Sequence, residues 1–291
     1  MGGHIRAGDL DVWVEQVGTG SDVLLIGGAG DTVESWQFQL DGLADRYRLT
    51  AFDTRGAGRT AMPDDAVTVE VLAGDAAGIL DALGIPSAHV AGFSGGSIVA
   101  QELAVRRPDL VRSLVLQSTW AVPDVYLRTW MRCVQWLAER APSERAFLEG
   151  FFLDIYTARA HEDGTVAAFV DQVVAFPHKQ APQDLRTYLD AFVDDDVRDR
   201  PRRITAPTLV LAGGVDSAAR ALGRAVADEV SGARFELWET ECHQPFQEVP
   251  DRWNARVASF WREVEAGRAA APVPRVAAHR PALIGEEEWA D

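Results

Sequence analysis

A serine between two glycines is the residue of this sequence with the clearest chemical potential. Ser94 stands in the run Ala91-Gly92-Phe93-Ser94-Gly95-Gly96-Ser97, where the glycine two positions to either side leaves room for a sharp backbone turn. A sharp turn from a strand into a helix exposes the serine oxygen, and the next amide, that of Gly95, then faces the place where an oxyanion would form. The spacing therefore predicts a nucleophilic serine with one half of an oxyanion hole.

The sequence around Ser94 has the pattern that such a turn requires. An apolar run at residues 89–93 precedes the serine and reads as a buried strand, and a helical pattern begins near Ser97 and closes at Pro108. The alternative is a chance match in a glycine-rich loop, because the chain contains 25 glycines. The strand before the motif and the helix after it favour the nucleophile turn.

A serine hydroxyl is a weak nucleophile, so Ser94 needs a histidine as base and a carboxylate that holds the histidine in the correct tautomer. Of the six histidines, His243 alone follows a predicted late strand of the core. The others lie near the N-terminus, before the serine turn, in a helical region and near the C-terminus: His4, His89, His161, His178 and His279. Asp216 follows another predicted strand and is the expected acid, with Asp195 or Asp196 as more remote alternatives.

Strands and helices must alternate to bring these residues together. The expected strands lie at residues 11–17, 23–26, 49–52, 89–93, 114–116, 208–211 and 234–238. The expected helices lie at residues 35–47, at 98–105 and from the cap Thr68 through Leu83. This alternation predicts a largely parallel sheet with helices on both faces and ligands at the carboxyl ends of the strands. Ser94 lies at such an end, as do the loops at 27–30 and 53–58.

Residues 120–200 carry helical patterns and many aromatic side chains, and strands resume only at residue 208. A helical insertion between two sheet strands is typical of a cap that covers an active site, excludes water and shapes the substrate pocket. We expect a core of residues 1–119 and 201–266, a cap of residues 120–200 and an appended tail at 267–291. Most aromatic residues of the cap should form its own core. Trp36 and Trp120 follow sheet strands, and each either lines the pocket or packs structurally.

These features together resemble the α/β-hydrolase superfamily. The order Ser94, Asp216, His243, each after a strand, is similar to that of the family. Residues 53–60 resemble its Asp-x-Arg-Gly-x-Gly-x-Ser loop, with Thr60 in place of the serine, and residues 243–253 resemble the segment after its catalytic histidine. The resemblance implies a mostly parallel eight-stranded sheet with helices on both faces and an inserted helical cap. Among subfamilies the chain is most similar to the esterases and 3-oxoadipate enol-lactonases.

The loop after the third strand departs from the family pattern. Many members carry His-Gly there, where this chain has Gly27-Gly28. By position, the resemblance makes the Ala29 amide the second oxyanion donor beside that of Gly95, with Gly28 as its neighbour at the substrate. Asp31 either supports the residues that surround the substrate or contacts the substrate itself. The alternative is that it is a carboxylate at the start of a helix.

Composition limits the partners and the cellular location. A net charge of −16 disfavours nucleic acid and anionic membranes, because a phosphate surface would repel the protein. The N-terminus lacks an apolar signal core, and no run is long enough to span a bilayer, so we expect a cytoplasmic protein. Two cysteines, Cys133 and Cys242, allow no disulfide framework. Cys242 is adjacent to His243, but a small buried apolar residue is the simpler interpretation than a second nucleophile.

The expected function is hydrolysis of a carboxylic ester or lactone of a small apolar or aromatic molecule through an acyl-enzyme. The residues imply no cofactor, and no metal-ligand spacing is present. Two alternatives remain open on the same site: C–C bond hydrolysis, and a nonhydrolytic cyclase or lyase step. A third is a small-molecule binding protein with a vestigial hydrolase site. The sequence does not set the oligomeric state, and a homodimer is an option.

Overall fold

A single sheet crosses the part of the protein that the computed structural model describes, which is residues 2–193, 195, 198–216 and 219–268. Its eight strands are β1 (Gly2–Ala7), β2 (Leu10–Val17), β3 (Ser21–Ile26), β4 (Tyr47–Phe52), β5 (Ala88–Phe93), β6 (Val111–Gln117), β7 (Thr208–Gly213) and β8 (Arg234–Trp238). Their order across the sheet is β1-β2-β4-β3-β5-β6-β7-β8. Strand β2 pairs antiparallel with β1 and β4, and the remaining neighbours pair parallel. The expectation of a mostly parallel eight-stranded sheet is confirmed.

Helices follow most of the strands. A short 3₁₀ helix (Val33–Trp36) leads into α1 (Gln37–Leu43), and the core also contains α2 (Val69–Ala82), α3 (Gly95–Arg106), α10 (Arg220–Glu229), α11 (Pro245–Glu248) and α12 (Pro250–Glu265). The insertion between β6 and β7 consists of α4 (Val125–Arg140), α5 (Glu144–Phe152), α6 (Ala158–Glu162), α7 (Thr165–Ala175), α8 (Pro182–Val193) and α9 (Arg200–Arg203). As predicted, the Thr68 side chain caps α2 by accepting a hydrogen bond from the Val71 amide.

The two faces of the sheet bury different side chains, because successive residues of a strand point in opposite directions. In β3, Leu24 and Ile26 join the cluster beneath α2 and α3, whereas Val23 and Leu25 join the cluster beneath α1 and α12. The central strand β5 is buried along its whole length. Such double-sided burial is typical of a strand in a parallel sheet covered on both faces.

The helix predicted at residues 35–47 is wrong at its end. Helix α1 stops at Leu43, and Tyr47 begins β4. The Tyr47 ring packs edge-on against Trp261 at 4.9 Å, and its hydroxyl donates a hydrogen bond to the Ala258 carbonyl. Tyr47 therefore faces α12 from the sheet, and its helical spacing after Leu43 is coincidental.

The inserted helices divide their burial between two cores. Helices α5 to α7 pack largely against one another, through Leu148, Phe152, Val166 and Val170 among others. Helices α4 and α8 instead join the main core under the sheet's α2–α3 face. The insertion is therefore partly self-supporting and partly continuous with the core.

An arginine links the insertion to the edge of the sheet. The Arg59 guanidinium lies 4.8 Å from the ring centre of Trp13 in β2 and 5.0 Å from that of Phe176 at the end of α7. A cation between two aromatic faces is attracted to both. Arg59 also forms ion pairs with Glu34 and Asp53, so carboxylates outside the insertion balance the charge of its guanidinium.

Some sequence predictions fall outside the described residues. Asp196 and residues 269–291, which include His279 and nearly all of the predicted tail, are among them. Within the described part of the chain, no helix combines the length and the apolar character needed to cross a membrane.

Candidate active site

Ser94 sits on a strained turn between β5 and α3. Its backbone has φ 51° and ψ −124°, and Ser118 is the other described non-glycine residue with positive φ. A Cβ on Gly92 would collide with the backbone of Gly96 and Ser97, so the turn closes only with glycine there. The predicted sharp turn from strand to helix is present, although α3 begins at Gly95 and not near Ser97.

His243 and Asp216 form a buried pair. Nδ1 of His243 lies 2.8 Å from Oδ2 of Asp216, and the two residues are 4% and 2% exposed. The other Asp216 oxygen accepts a hydrogen bond from the Ala219 amide at 3.1 Å. Because the carboxylate accepts from Nδ1–H, it fixes the tautomer in which Nε2 has the free lone pair. The alternative acid Asp195 pairs instead with Arg200.

Three further contacts fix the position of His243. Its backbone amide donates to the Ile155 carbonyl at 3.2 Å, and its own carbonyl accepts from the Ser118 hydroxyl at 2.8 Å. The imidazole packs edge-on against Phe93, with ring centres 5.0 Å apart. Residues from β5, from the loop after β6 and from the insertion therefore all hold this histidine.

Ser94 and His243 line one cavity between the sheet and the inserted helices. The space measures about 410 Å³ including its opening to solvent, and it is narrow. An exposed serine oxygen, a histidine with a free Nε2 and a buried carboxylate are the parts that nucleophilic catalysis by serine requires.

The expected oxyanion donors border the same cavity. Gly95 is the first residue of α3, and Ala29 lies on the loop after β3. Gly28 lies directly against the serine, since a Cβ on Gly28 would be 3.1 Å from the Ser94 Cβ. Backbone amides placed beside a serine oxygen can stabilise an oxyanion, and both residues lie on the wall that Ser94 shares.

Asp31 holds the loop that carries Ala29. Its Oδ2 accepts a hydrogen bond from the Gly28 amide at 2.8 Å, and its own amide donates to the Gly28 carbonyl at 3.3 Å. Burial raises the pKa of the Asp31 carboxyl, and the Gly28 hydrogen bond acts in the opposite direction. Asp31 is not among the described residues that line the cavity, and its contacts with Gly28 place it in support of the loop.

The loop at residues 53–60 also supports the site from outside the cavity. Asp53 accepts hydrogen bonds from the amides of Val33 and Arg59, each at 2.8 Å. The Thr60 hydroxyl accepts from the Trp13 amide at 3.0 Å. Thr60 therefore supplies the hydroxyl oxygen expected from the usual serine, and the loop joins β2 to the 3₁₀ helix.

The wall of the cavity is apolar and comes mostly from the insertion. Phe93 contributes from β5, and Trp120 contributes from the loop after β6. The apolar side chains contributed by the insertion are Trp130, Met131, Phe151, Ile155, Leu189 and Phe192. No lysine, arginine, aspartate or glutamate is found among the described lining residues.

The structure separates the two tryptophans proposed for the pocket. Trp120 lines the cavity. Trp36 is a correction: it is 1% exposed and stacks on Phe246 at 4.5 Å, in the core cluster on the α1–α12 side of the sheet. The backbone that follows a strand decides which face of the sheet a later side chain packs against. Here the 3₁₀ helix directs Trp36 into the core between the sheet and helices α1 and α12.

Sequence reasoning missed two polar residues of the cavity, Tyr188 and Gln244. Tyr188 is one of the many aromatic residues of the cap, most of which the sequence predicts to form the cap's own core. Helix α8 instead carries it over the serine turn, where a Cβ on Gly95 would lie 3.2 Å from its hydroxyl oxygen. Gln244 follows His243 directly, and that adjacency was the available signal.

Cys242 has the environment of a structural residue. Its Sγ donates to the Asp154 carbonyl at 3.4 Å, and burial raises the pKa of the thiol to about 12. A thiol that stays protonated is a poor nucleophile. Among the residues that the structure covers, no group of three or more His, Cys, Asp or Glu side chains is arranged to hold a metal ion.

Comparison with known proteins defines the class. The chain matches the family model of the alpha/beta hydrolase fold over residues 23–221. The protein therefore belongs to the α/β-hydrolase family, a family of hydrolases to which the sequence motifs already pointed.

Individual relatives cover nearly the whole chain. A protein of Azorhizobium caulinodans described as "Putative carbamate hydrolase RutD" is 29% identical over 266 residues, which is 90% of this chain and 99% of the relative. A Mycobacterium tuberculosis protein described as "Putative non-heme bromoperoxidase BpoC" is 31% identical and covers 86% of this chain and 97% of its own. The enol-lactonase from Burkholderia xenovorans LB400 superposes with a TM-score of 0.78 at 24% identity, over 90% of this chain and 100% of its own. At that identity the likeness concerns the fold.

Proposed function

We propose that this protein is a serine hydrolase that cleaves a carboxylic ester or lactone of a small, uncharged apolar or aromatic molecule. The observation that carries the proposal is the 2.8 Å contact between Asp216 and His243, on a histidine that borders one cavity with the strained Ser94. Burying a carboxylate costs desolvation free energy, and a buried carboxylate that orients a histidine is typical of a catalytic pair.

The proposed reaction has two steps. Ser94 Oγ attacks the acyl carbon while His243 Nε2 takes the hydroxyl proton, and the amides of Ala29 and Gly95 hold the oxyanion. His243 then returns the proton to the alcohol oxygen as the C–O bond breaks, which leaves an acyl-Ser94 ester. The alcohol departs when the substrate is an open ester and stays attached as a hydroxyl when it is a lactone. In the second step His243 activates a water molecule that releases the acid. Asp216 remains ionised and stabilises the transient imidazolium.

The cavity supports an uncharged substrate. Its described wall is aromatic and aliphatic apart from the catalytic residues, Tyr188 and Gln244. An anionic substrate group would be buried there without a cation to pair with, which is unfavourable. The protein's net charge of −16 adds a long-range repulsion for anions.

Carbamate hydrolysis is the second candidate, because the name of the Azorhizobium relative specifies a carbamate. The same serine could attack a carbamate carbonyl. The apolar wall favours an aryl or alkyl ester over a small polar carbamate. A substrate panel that includes both classes distinguishes them directly.

Active-site labelling tests the proposal. A fluorophosphonate should add one label per chain, detected by intact mass, and Ser94→Ala should abolish both labelling and hydrolysis of an ester panel. The matched control is Ser259→Ala on α12, a helix that does not contribute to the described cavity wall; it should behave as the parent protein. Full turnover by Ser94→Ala would rule out the acyl-enzyme mechanism.

A further inference from the structure

Gln244 is a buried amide without a hydrogen bond. It is 5% exposed, it lines the cavity beside His243, and its Oε1 is inaccessible to solvent and unpaired. Its side chain does not cap α11, and no hydrogen bond from its Nε2 to another described residue is found, although Nε2 is not one of the fully buried unpaired atoms. Buried polar side chains in folded proteins are nearly always hydrogen-bonded, so an unpaired amide at a cavity wall calls for a partner from outside the chain.

Other buried glutamines show what a structural role looks like. The Nε2 of Gln39 donates to the Phe246 carbonyl at 2.8 Å, and that of Gln101 donates to the Thr119 hydroxyl at 2.8 Å. Gln117 Nε2 donates to the Ser118 hydroxyl at 3.0 Å. Each of these amides is anchored at its nitrogen even though its oxygen is unpaired. Gln244 has no such anchor, so packing within the chain does not explain why an amide is present there.

The neighbours of Gln244 in the cavity leave few protein partners for it. Most of the wall is hydrocarbon, and the Tyr188 hydroxyl already makes a long contact of 3.5 Å to the Gly27 carbonyl. The Trp120 indole N–H is also unpaired. Unpaired indole N–H groups occur away from the cavity as well, so that of Trp120 does not point to a ligand; the others are those of Trp13, Trp36, Trp253 and Trp261. The amide of Gln244 is therefore the distinctive polar feature of the cavity wall outside the catalytic residues.

We propose that Gln244 binds a hydroxyl group of the substrate, which makes the substrate class a neutral hydroxylated ester or lactone with an otherwise apolar or aromatic body. A hydroxyl both donates and accepts, so it satisfies either end of the amide, and it carries no charge into an apolar cavity. It is also small enough for a narrow space. The inference rests on the proposed hydrolase function for the identity of the scissile bond, and on Gln244 alone for the hydroxyl.

Binding to a protein that cannot turn over substrate is the first test. The probes are the methyl esters of 3-phenylpropanoic acid and of its 2-, 3- and 4-hydroxyphenyl analogues, which differ by one hydroxyl. In the Ser94→Ala protein, quenching of tryptophan fluorescence reports binding, because Trp120 and Trp130 line the cavity. We expect at least one hydroxylated isomer to bind about tenfold more tightly than the phenyl ester, and we expect Gln244→Met in the same background to remove that preference.

Two controls separate a lost contact from a damaged fold. Gln172→Met places the same side chain on an exposed position of α7 and should keep the preference. Gln244→Asn retains an amide but shortens its reach by one methylene, so it should also lose the preference, and it serves if Gln244→Met does not fold. The inference is overturned if no isomer is preferred by the parent background, or if the preference survives both Gln244 variants.

Turnover gives an independent readout with Ser94 intact. The ratio of kcat/KM for the preferred hydroxylated ester to that for the phenyl ester should fall about tenfold in Gln244→Met, while fluorophosphonate labelling of Ser94 persists. An unchanged ratio in a labelled enzyme overturns the inference and leaves the hydrolase function standing. An enzyme that neither labels nor hydrolyses any ester contradicts the hydrolase function, and the binding comparison still decides the role of Gln244.

Discussion

The backbone amide of His243 donates a hydrogen bond to the carbonyl of Ile155, a residue of the insertion that itself lines the cavity. Contacts on both sides reinforce this link: Cys242 Sγ donates to the Asp154 carbonyl, and the Tyr156 hydroxyl donates to Gln247. Thr157 bonds Glu248 through both its amide and its hydroxyl. The segment at 154–157 and the loop that presents the histidine are therefore fastened together, so the position of the insertion and the position of the base are coupled.

Thr157→Val should weaken this connection. The Glu248 side chain is 1% exposed, and burial raises the pKa of its carboxyl, so it depends on the Thr157 hydrogen bonds. Losing the hydroxyl donor to a buried carboxylate should cost about 1–3 kcal/mol in the free energy of unfolding. Urea denaturation measures it, and kcat should fall because the loop that carries His243 is less firmly held.

Thr129→Val is the matched control for that experiment. Thr129 is exposed on α4, and its hydroxyl bonds only the carbonyl of Val125 one turn earlier among the described residues. This substitution should change stability by less than about 0.5 kcal/mol. Equal losses in the two variants would contradict a special role for the Thr157–Glu248 contact.

Asp216→Asn should lower kcat by about 10³- to 10⁴-fold, with a much smaller change in KM. The asparagine keeps the shape of the site, but it can present an N–H group to His243 Nδ1 and so stabilise the tautomer whose Nε2 is protonated. Such a histidine cannot accept the Ser94 proton. Steady-state kinetics on the best ester of the panel checks this, and a variant that retains a tenth or more of the parent kcat would argue against Asp216 as the orienting acid.

Asp31→Ala should lower kcat by roughly 10- to 100-fold while KM changes little, because the loop with the Ala29 amide loses its carboxylate anchor. Asp31→Asn retains an oxygen that can accept the Gly28 N–H and should recover much of the loss. The measurement is the pair of kcat values for the two variants. A purely structural role would instead lower thermal stability in both and leave the kcat of the folded fraction unchanged.

His89 should make stability depend on pH at the end of β5 away from the site. Burial lowers the pKa of His89 from 6.5 to about 4, with Arg112 acting in the same direction and Glu265 opposing. Its Nδ1 bonds the Ser113 hydroxyl at 2.7 Å, and its ring stacks on Trp261. A proton therefore binds the unfolded chain more tightly than the folded protein.

The direction of the pH effect follows from that difference. The stability contributed by neutral His89 is complete above the unfolded pKa and is lost as pH falls from 6.5 towards 4. Between about pH 7 and pH 5 the loss should be roughly 2 kcal/mol. His89→Gln removes the titration, so the free energy of unfolding should fall less over this range than in the parent protein. Parallel slopes for the two proteins would refute the assignment.

Much of the site could be predicted because it depends on local pattern. Ser94 is marked by glycines that a sharp turn requires. Asp216 follows the buried strand β7, whose apolar run is visible in the sequence, and His243 follows the partly buried strand β8. In a parallel sheet the ends of such strands meet at one edge, so order along the chain is enough to group them.

The remaining features depend on packing between distant segments. The pattern of Trp36 does not tell which face of the sheet it joins, and the structure turns it away from the cavity. The support that Asp31 gives to the loop carrying Ala29 and the unpaired Oε1 of Gln244 are relations between atoms, which residue spacing does not encode. Secondary structure has the same dependence on packing. Tyr47 fits the helical spacing of the residues before it, yet it is the first residue of β4.

The separate core of α5–α7 has a consequence for redesign. Because these helices bury side chains such as Leu148 and Val170 largely against one another, they form a module whose interior can be varied without rebuilding the sheet. Phe151 and Ile155 project from this module into the cavity. A combinatorial library confined to α5–α7 would thus change the cavity wall above Ser94 and leave the sheet that carries Ser94 unchanged. Residues 154–157 should be kept, because they bind the loop that presents His243.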